Sequence, residues 1–551
     1  AAPEARPIAV APPVPAAVAP IASVAPIAPK PLVERTPGQL LIAGSAAWED
    51  VGKKTLSPEE ALILHTFHRA LVGTPIALIA TGPSACHVFA LTPTGTAFAW
   101  GRNSNGQLGL GHTNPTSSPS PLKQLSTDKT DSKIVAIACG KAHTLFVTGK
   151  GKLFACGSNA SAQLGIGTGA KTGSYVDAPK AVKWPAGREA CRVACGADFS
   201  VATDSEGHLY SWGHPQCGQL GHGSTGECLE KSGRVDYDFR TEPGLVTYTE
   251  GSSRGVLPPI GPIACGDRHT VAVTTSGEVF TWGFGGYGRL GHANQNDLLR
   301  PQAINFVHKA KIVEVAAGGT CTYAKTLGGA TFFWGRTKST GEATMYPKAV
   351  ADLHGWSTRS FACGHTSSFV AADRSLIAWG PSPTYGELGY GPEGPKSSTT
   401  PKLVDDLTGA LVEQVAAGYA CSALIVNVAD EASGKALQKL PLYEQQQQHQ
   451  PPQQQQHQQQ HQDVLSAAAA SGVGRKAGDS AKKGNSLSKL ESGDEEEEEG
   501  KEVYLEPENS QSESEGNSQD DDDEEDARHK GKKRAAPAQA KDTHTRAKAR
   551  K

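Results

Sequence analysis

The residues best suited to reactive chemistry recur in one context, an Ala-Cys-Gly step followed by histidine: Ala138-Cys139-Gly140-Lys141-Ala142-His143-Thr144 and Ala264-Cys265-Gly266-Asp267-Arg268-His269-Thr270. A thiol four residues before an imidazole could be a nucleophile beside its base, or half of a zinc site. Sister segments argue otherwise, because Phe199, Cys321, Ser367 and Cys421 stand where the histidine is expected. A packed, hydrogen-bonded side chain tolerates such exchange, whereas a ligand set or a catalytic pair does not. The eleven cysteines are odd in number and contain no CxxC pair. Cys139, Cys195, Cys265 and Cys363 are therefore expected to be buried, reduced thiols rather than disulfides or metal ligands. No catalytic residue, metal or cofactor follows from these motifs.

A second set of turns, Gly106-Gln107-Leu108-Gly109, Ala162-Gln163-Leu164-Gly165, Gly218-Gln219-Leu220-Gly221, Gly288-Arg289-Leu290-Gly291 and Gly386-Glu387-Leu388-Gly389, invites a phosphate-cradle reading. There is no GxxxxGK[ST] and no following helix to hold an anion, so tight turns explain these glycines better.

The elements that must carry these turns repeat. A strand-like run closes on glycine at Leu41-Ile42-Ala43-Gly44, Trp100-Gly101, Cys156-Gly157, Trp212-Gly213, Trp282-Gly283, Trp334-Gly335 and Trp379-Gly380, at intervals of 57, 56, 56, 70, 52 and 45 residues. Each unit adds an alternating strand such as Leu145-Phe146-Val147-Thr148 and a Gly-containing turn. Such hairpins must bury one face on neighbouring copies, and a ring does so without long free edges. The expected fold is all-β, a seven-bladed β-propeller over residues 38–428, between a disordered Ala/Pro-rich leader (1–37) and a disordered tail (429–551). The first unit lacks the partner strand that the last supplies, so Gln39 to Ala43 should pair beside Ser422 to Val426.

Trp-Gly, Gly-x-Leu-Gly and Ala-Cys-Gly-x-x-His-Thr at this spacing resemble the repeats of the regulator-of-chromosome-condensation family. Longer runs resemble its type 2 subgroup: Trp282 to His292, Thr344-Met345-Tyr346-Pro347-Lys348-Ala349-Val350, and Trp379 to Tyr390. The resemblance implies a non-enzymatic regulator of mitosis, chromosomes or cytoskeleton. It implies binding of a small GTPase, Rac-like or another Ras-superfamily member, with guanine-nucleotide exchange as the family's best-known activity. A propeller scaffold for chromatin or microtubules without exchange is the alternative. Plant-type ultraviolet photoreceptors share the propeller, but their repeated Gly-Trp-Arg-His-Thr clusters are absent here.

Two insertions interrupt the period. After Gly44, Ser57-Pro58-Glu59-Glu60 offers an N-cap, a Pro at the first helical position and a following Glu, predicting a helix from Pro58 to Leu71. The longest interval carries a charged insertion, Gly223 to Pro259, whose polar tip Thr249-Glu250-Gly251-Ser252-Ser253-Arg254-Gly255 is the candidate partner-binding loop.

Charge segregates along the chain. The net charge is only -3, yet Glu491 to Asp526 holds nineteen acidic residues against one basic, and Ala527 to Lys551 ten basic against one acidic. The Gln/His tract Gln445 to Gln462 reads as a spacer, and the acidic blocks stay solvated. Arg528, Lys530, Lys532, Lys533 and Arg534 suit an import receptor or the phosphates of nucleic acid, and import is the stronger reading, pointing to the nucleus, nucleolus or chromosomes. Ser492, Ser510, Ser512 and Ser514 lie in acidic surroundings as candidate phosphorylation sites. No apolar run reaches the ~18 residues that cross a bilayer, and an intracellular protein is expected.

Overall fold

Strand alternation and glycine turns resolve into seven four-stranded antiparallel sheets. The structure is a computed structural model. It describes residues 28–443 apart from 46–50, 52–62, 124, 126–132, 168–173, 230–234, 251–252, 306–309, 337–341 and 382–384. Blade 2 shows the plan: Ile134–Cys139, His143–Thr148, Leu153–Ser158 and Tyr175–Ala181, in that order across the sheet. Blades 1 and 3 to 6 begin at Leu78, Ala190, Ile260, Ile312 and Thr358. First strands of successive blades lie against one another, so they ring the axis and the fourth strands form the rim. Because strands alternate in direction, the turn after the first strand and the loop after the third emerge on one face, here the upper. The turn after the second strand and the link to the next blade emerge on the lower.

Blade 7 is composite. Val412–Ala417 and Cys421–Val426 are joined by Gln39–Ser45, whose Leu40, Leu41, Ile42 and Ala43 stand opposite Ile425, Leu424, Ala423 and Ser422. This is the pairing expected from the sequence.

The insertion after Gly44 is where the structure departs from expectation. Residues 52–62, including the proposed cap, lie outside the described residues, but Ile63–Ala70 is a strand and not a helix. It pairs antiparallel with Gln39–Ser45 as the rim strand of blade 7. The ring requires a fourth strand there, and burial of Phe67 against the core overrides the local helix signal.

The core lies between blades. Trp100, Trp212, Trp282 and Trp334 are fully buried. The indoles of Trp212 and Trp282 donate to the carbonyls of Gln163 and Gln219, each in the Gly-x-Leu-Gly turn of the preceding blade. The glycine ending such a turn is dictated by this contact: Gly221 has φ +76°, and a Cβ there would lie 2.8 Å from the Trp282 Nε1.

The tail boundary also shifts. Beyond position 429, Glu431–Lys439 forms a helix capped by the Asp430 side chain accepting from the Ser433 amide at 2.9 Å. Ala436, Leu437 and Leu440 pack into the core cluster of Leu407, Ala410 and Val412. Arg374 holds Asp430 at 2.8 and 2.9 Å. The chain then runs along the rim strand of blade 7, where the Arg69 amide donates to Pro441 and the Tyr443 amide to Arg69, and reaches blade 1 through the Tyr443 hydroxyl, which donates to the Ser117 carbonyl at 2.6 Å.

Candidate functional site

The repeated histidines are structural, as their interchangeability suggests. His143 is fully buried, and its Nε2 lies 3.0 Å from the Ser200 hydroxyl of the next blade, which donates to the Gln163 carbonyl. His269, Thr322 and the Arg289 carbonyl repeat the relay, and so do His87, Thr144 and the Gln107 carbonyl. Sequence reasoning missed His87 because its turn has a different length before Cys86. Burial lowers all three imidazoles to about 3, so they are neutral links between blades. Cys139, Cys195, Cys265 and Cys363 are buried free thiols, and burial pushes each upward. These cysteines are inert packing groups.

Charge gathers instead at the upper mouth of the ring, on the turns that sit between first and second strands. Asp267 of blade 4 accepts from Ser84 of blade 1 at 2.5 Å and meets His365 Nδ1 of blade 6 at 3.3 Å. Burial raises the Asp267 carboxyl, but His365, Ser84 and nearby Arg289 outweigh it and hold the group down to about 2. Burial opposes the charged form of His365, and its hydrogen bond to Asp267 reverses that, raising its pKa. The His365 ring also rests on Tyr419 of blade 7, centroids 4.9 Å apart. One carboxylate thereby links turns from blades on different sides of the mouth.

The long insertion yields two hairpins. Glu227–Leu229 pairs with Val235–Tyr237 in the loop after the third strand of blade 3, hence on the upper face with Asp267. Its stem is anchored where His214 packs on Tyr237 and Phe239, each 5.0 Å away. Leu229 is 75% exposed and Val235 44%. Below the stem lies a cavity of about 440 Å³, lined by His222, Asp238, Arg240 and Glu242 among others.

The second hairpin contains the sequence candidate. Thr247–Glu250 pairs with Ser253–Val256, with Thr249 opposite Arg254 and Glu250 opposite Ser253. Gly251 and Ser252 lie outside the described residues, and Gly255 is exposed. Thr247–Glu250 and Ser253–Val256 are thus paired strands on the link between blades 3 and 4 that leaves from the lower face. The structure does not bring Thr249 to Gly255 together with the charged mouth. Arg528, Lys530, Lys532, Lys533, Arg534, Ser492, Ser510, Ser512 and Ser514 lie outside the described residues.

Seven blades tied by these turn motifs, with charge and insertions on the faces and inert side chains within, define a propeller of the regulator-of-chromosome-condensation family, to which this chain belongs. The profile described as the regulator of chromosome condensation (RCC1) repeat matches residues 94–147, 150–203, 206–273 and 276–324. The individual likeness is to Protein RCC2: the Mus musculus protein is 41% identical over 422 residues, 74% of this chain and 80% of that protein. The ultraviolet-B receptor UVR8 of Arabidopsis thaliana is 30% identical over 348 residues, 62% of this chain and 72% of its own. Among solved structures, Prp20p from Saccharomyces cerevisiae, described with its binding to Gsp1p and histones, superimposes with a TM-score of 0.59 at 19% identity. It covers 73% of this chain and 94% of that one, a likeness of fold.

Proposed function

We propose that the chain binds a Ras-superfamily small GTPase, Rac-like or a relative, on the upper face, and promotes release of its guanine nucleotide. The observation that carries this reading is the coincidence, on one face, of the Glu227–Leu229/Val235–Tyr237 hairpin with the charged mouth. A surface hairpin with an exposed apolar cross-strand pair, Leu229 opposite Val235, is suited to wedge into a partner. Exchange needs no acid or base, only tighter binding of the nucleotide-free GTPase than of the loaded one. Support also comes from the family and from the fold it shares with Prp20p, which binds Gsp1p.

The test is release of a fluorescent GDP analogue from a panel of small GTPases. Acceleration of one GTPase by at least tenfold, lost on Leu229→Asp with Val235→Asp, is the expected result. Capture of a GTPase with unchanged release identifies a scaffold instead. Replacing Glu250 to Arg254 by a Gly/Ser linker asks whether the lower hairpin holds a second partner, such as chromatin or microtubules. If it does, capture of that partner disappears while exchange persists. In the tail, Arg528, Lys530, Lys532, Lys533 and Arg534 are proposed to engage an import receptor and direct the protein to the nucleus. Ser492, Ser510, Ser512 and Ser514 are proposed to accept phosphate in dividing cells, which mass spectrometry reads directly.

A further inference from the structure

The middle position of the Gly-x-Leu-Gly turn is buried in every described copy. Blades 1 to 3 place neutral glutamine there, and Gln107, Gln163 and Gln219 each accept an amide two residues earlier. Blade 4 places Arg289, which is 3% exposed. Its guanidinium donates to the carbonyls of Gly286 and Gly319 at 2.9 and 2.8 Å, and burial lowers its pKa. Asp267 lies near enough to favour this charge without pairing with it, and burial of the cation still costs stability in a position that this fold fills three times with an uncharged residue.

Arg289 does not stand alone. Its guanidinium lies 4.6 Å from the Phe284 ring centre and 5.6 Å from that of Tyr287, and Arg336 of blade 5 stacks on Tyr287 at 3.5 Å. Tyr287 takes φ +61°, a left-handed backbone that a non-glycine side chain adopts at a cost in strain, and its ring meets both arginines. Arg268, exposed on the neighbouring inner turn, is close enough for its charge to act on Arg289. Among the described residues, none of the three guanidiniums is paired with a carboxylate. The nearby carboxylate, Asp267, is already engaged by Ser84 and His365. A guanidinium stacked on an aromatic ring keeps its in-plane N–H edge available, in the geometry that suits two oxygens of one oxyanion.

We propose that Arg289 and Arg336, which share the Tyr287 ring, together with Arg268 on the adjoining inner turn, bind on the upper face of blades 4 and 5 the phosphate of a phosphorylated serine or threonine in a partner protein. Arg336 and Arg268 contact the oxygens, and Arg289 is a positioning residue that supplies fixed positive charge beneath them. A dianionic phosphate offers three acceptor oxygens to this cluster, where a carboxylate offers two. The site does not depend on the exchange reading, since it requires only the arginines and the Tyr287 turn.

The experiment uses the full chain and fluorescence anisotropy with a labelled Gly/Ala peptide carrying one phosphoserine. The comparison peptides carry serine or glutamate in its place, and a thymidine oligonucleotide is the nucleic-acid arm. The expected result is at least tenfold tighter binding of the phosphopeptide than of either comparison peptide, competed by inorganic phosphate. Arg289→Gln, the residue of the sister blades, should keep or raise the thermal midpoint while weakening phosphopeptide binding about tenfold, and Arg336→Gln should weaken it as much. Equal binding of serine and phosphoserine peptides, or full binding by both variants, overturns the proposal. So does an oligonucleotide bound as tightly as the phosphopeptide and through the same arginines, which would assign the cluster to nucleic-acid backbone. Loss of GDP-release activity in the hairpin variants leaves this measurement untouched, so the two readings fail separately.

Discussion

Glu387 occupies in blade 6 the buried position that three other blades give to glutamine, and its carboxylate accepts the Tyr385 amide at 3.0 Å as they do. Burial raises this carboxyl to about 7. Between its unfolded value near 4.5 and 7 the unfolded chain has released the proton and the native one has not, so this residue lowers stability as pH rises through that window. Glu387→Gln keeps the hydrogen bond and removes the ionisation. It should stabilise the protein by up to about 3 kcal/mol at pH 8 and scarcely at pH 4.5, read from thermal midpoints at both values. The buried histidines act with the opposite sign. Their native values near 3 lie below the unfolded 6.5, so the unfolded chain binds protons that the native one does not, and stability falls as pH drops through that range. His269→Phe copies blade 3. It should cost about 1 kcal/mol at pH 7 through the lost hydrogen bond yet flatten the acid limb of a midpoint-against-pH curve.

At the scale of elements, strands were legible wherever the pattern was local. The third strands close on glycine and pair with apolar second strands such as His143–Thr148, and the structure places both as read. The rim strands were harder to see. Thr116–Pro121 and Ser398–Leu403 are polar and half-exposed, with little apolar signal to separate them from loops. Ile63–Ala70 carries a helix-capping signal just upstream that is only a local preference, whereas its strand state comes from pairing with Gln39–Ser45. The helix Glu431–Lys439 was hidden by its polar composition, although it buries Leu437. Leu437→Ala should lower stability by about 2–4 kcal/mol, and a chain ending at Asn427 should unfold at a lower temperature than one ending at Tyr443. Likewise the charged mouth was unreadable in advance: Ser84, Asp267 and His365 are far apart in sequence, and only ring closure brings them together.

For the whole molecule, closure rests on one strand pair with no covalent bond across it. Gly44 sits at that seam with φ +109°, and a Cβ there would approach the Ala420 carbonyl oxygen to 2.3 Å. Gly44→Val combines backbone strain with a clash against main chain. It should destabilise the closed ring by more than about 3 kcal/mol and raise the rate of protease cleavage near both ends of the seam. A size-exclusion profile moving to larger radius would show the ring opening, and an unchanged profile with unchanged proteolysis would show that the seam tolerates the branch.

This arrangement also constrains how the protein is made. Gln39–Ser45 leaves the ribosome before any blade exists, and its partner Cys421–Val426 follows nearly four hundred residues later, so a hydrophobic edge must wait unpaired throughout translation of the other six sheets. Folding of the nascent chain is therefore expected to gain from anything that shields that edge until its partner strand arrives. A circular permutant opened between two blades, with position 443 joined to position 28 through a flexible linker, should mature faster and depend less on such assistance.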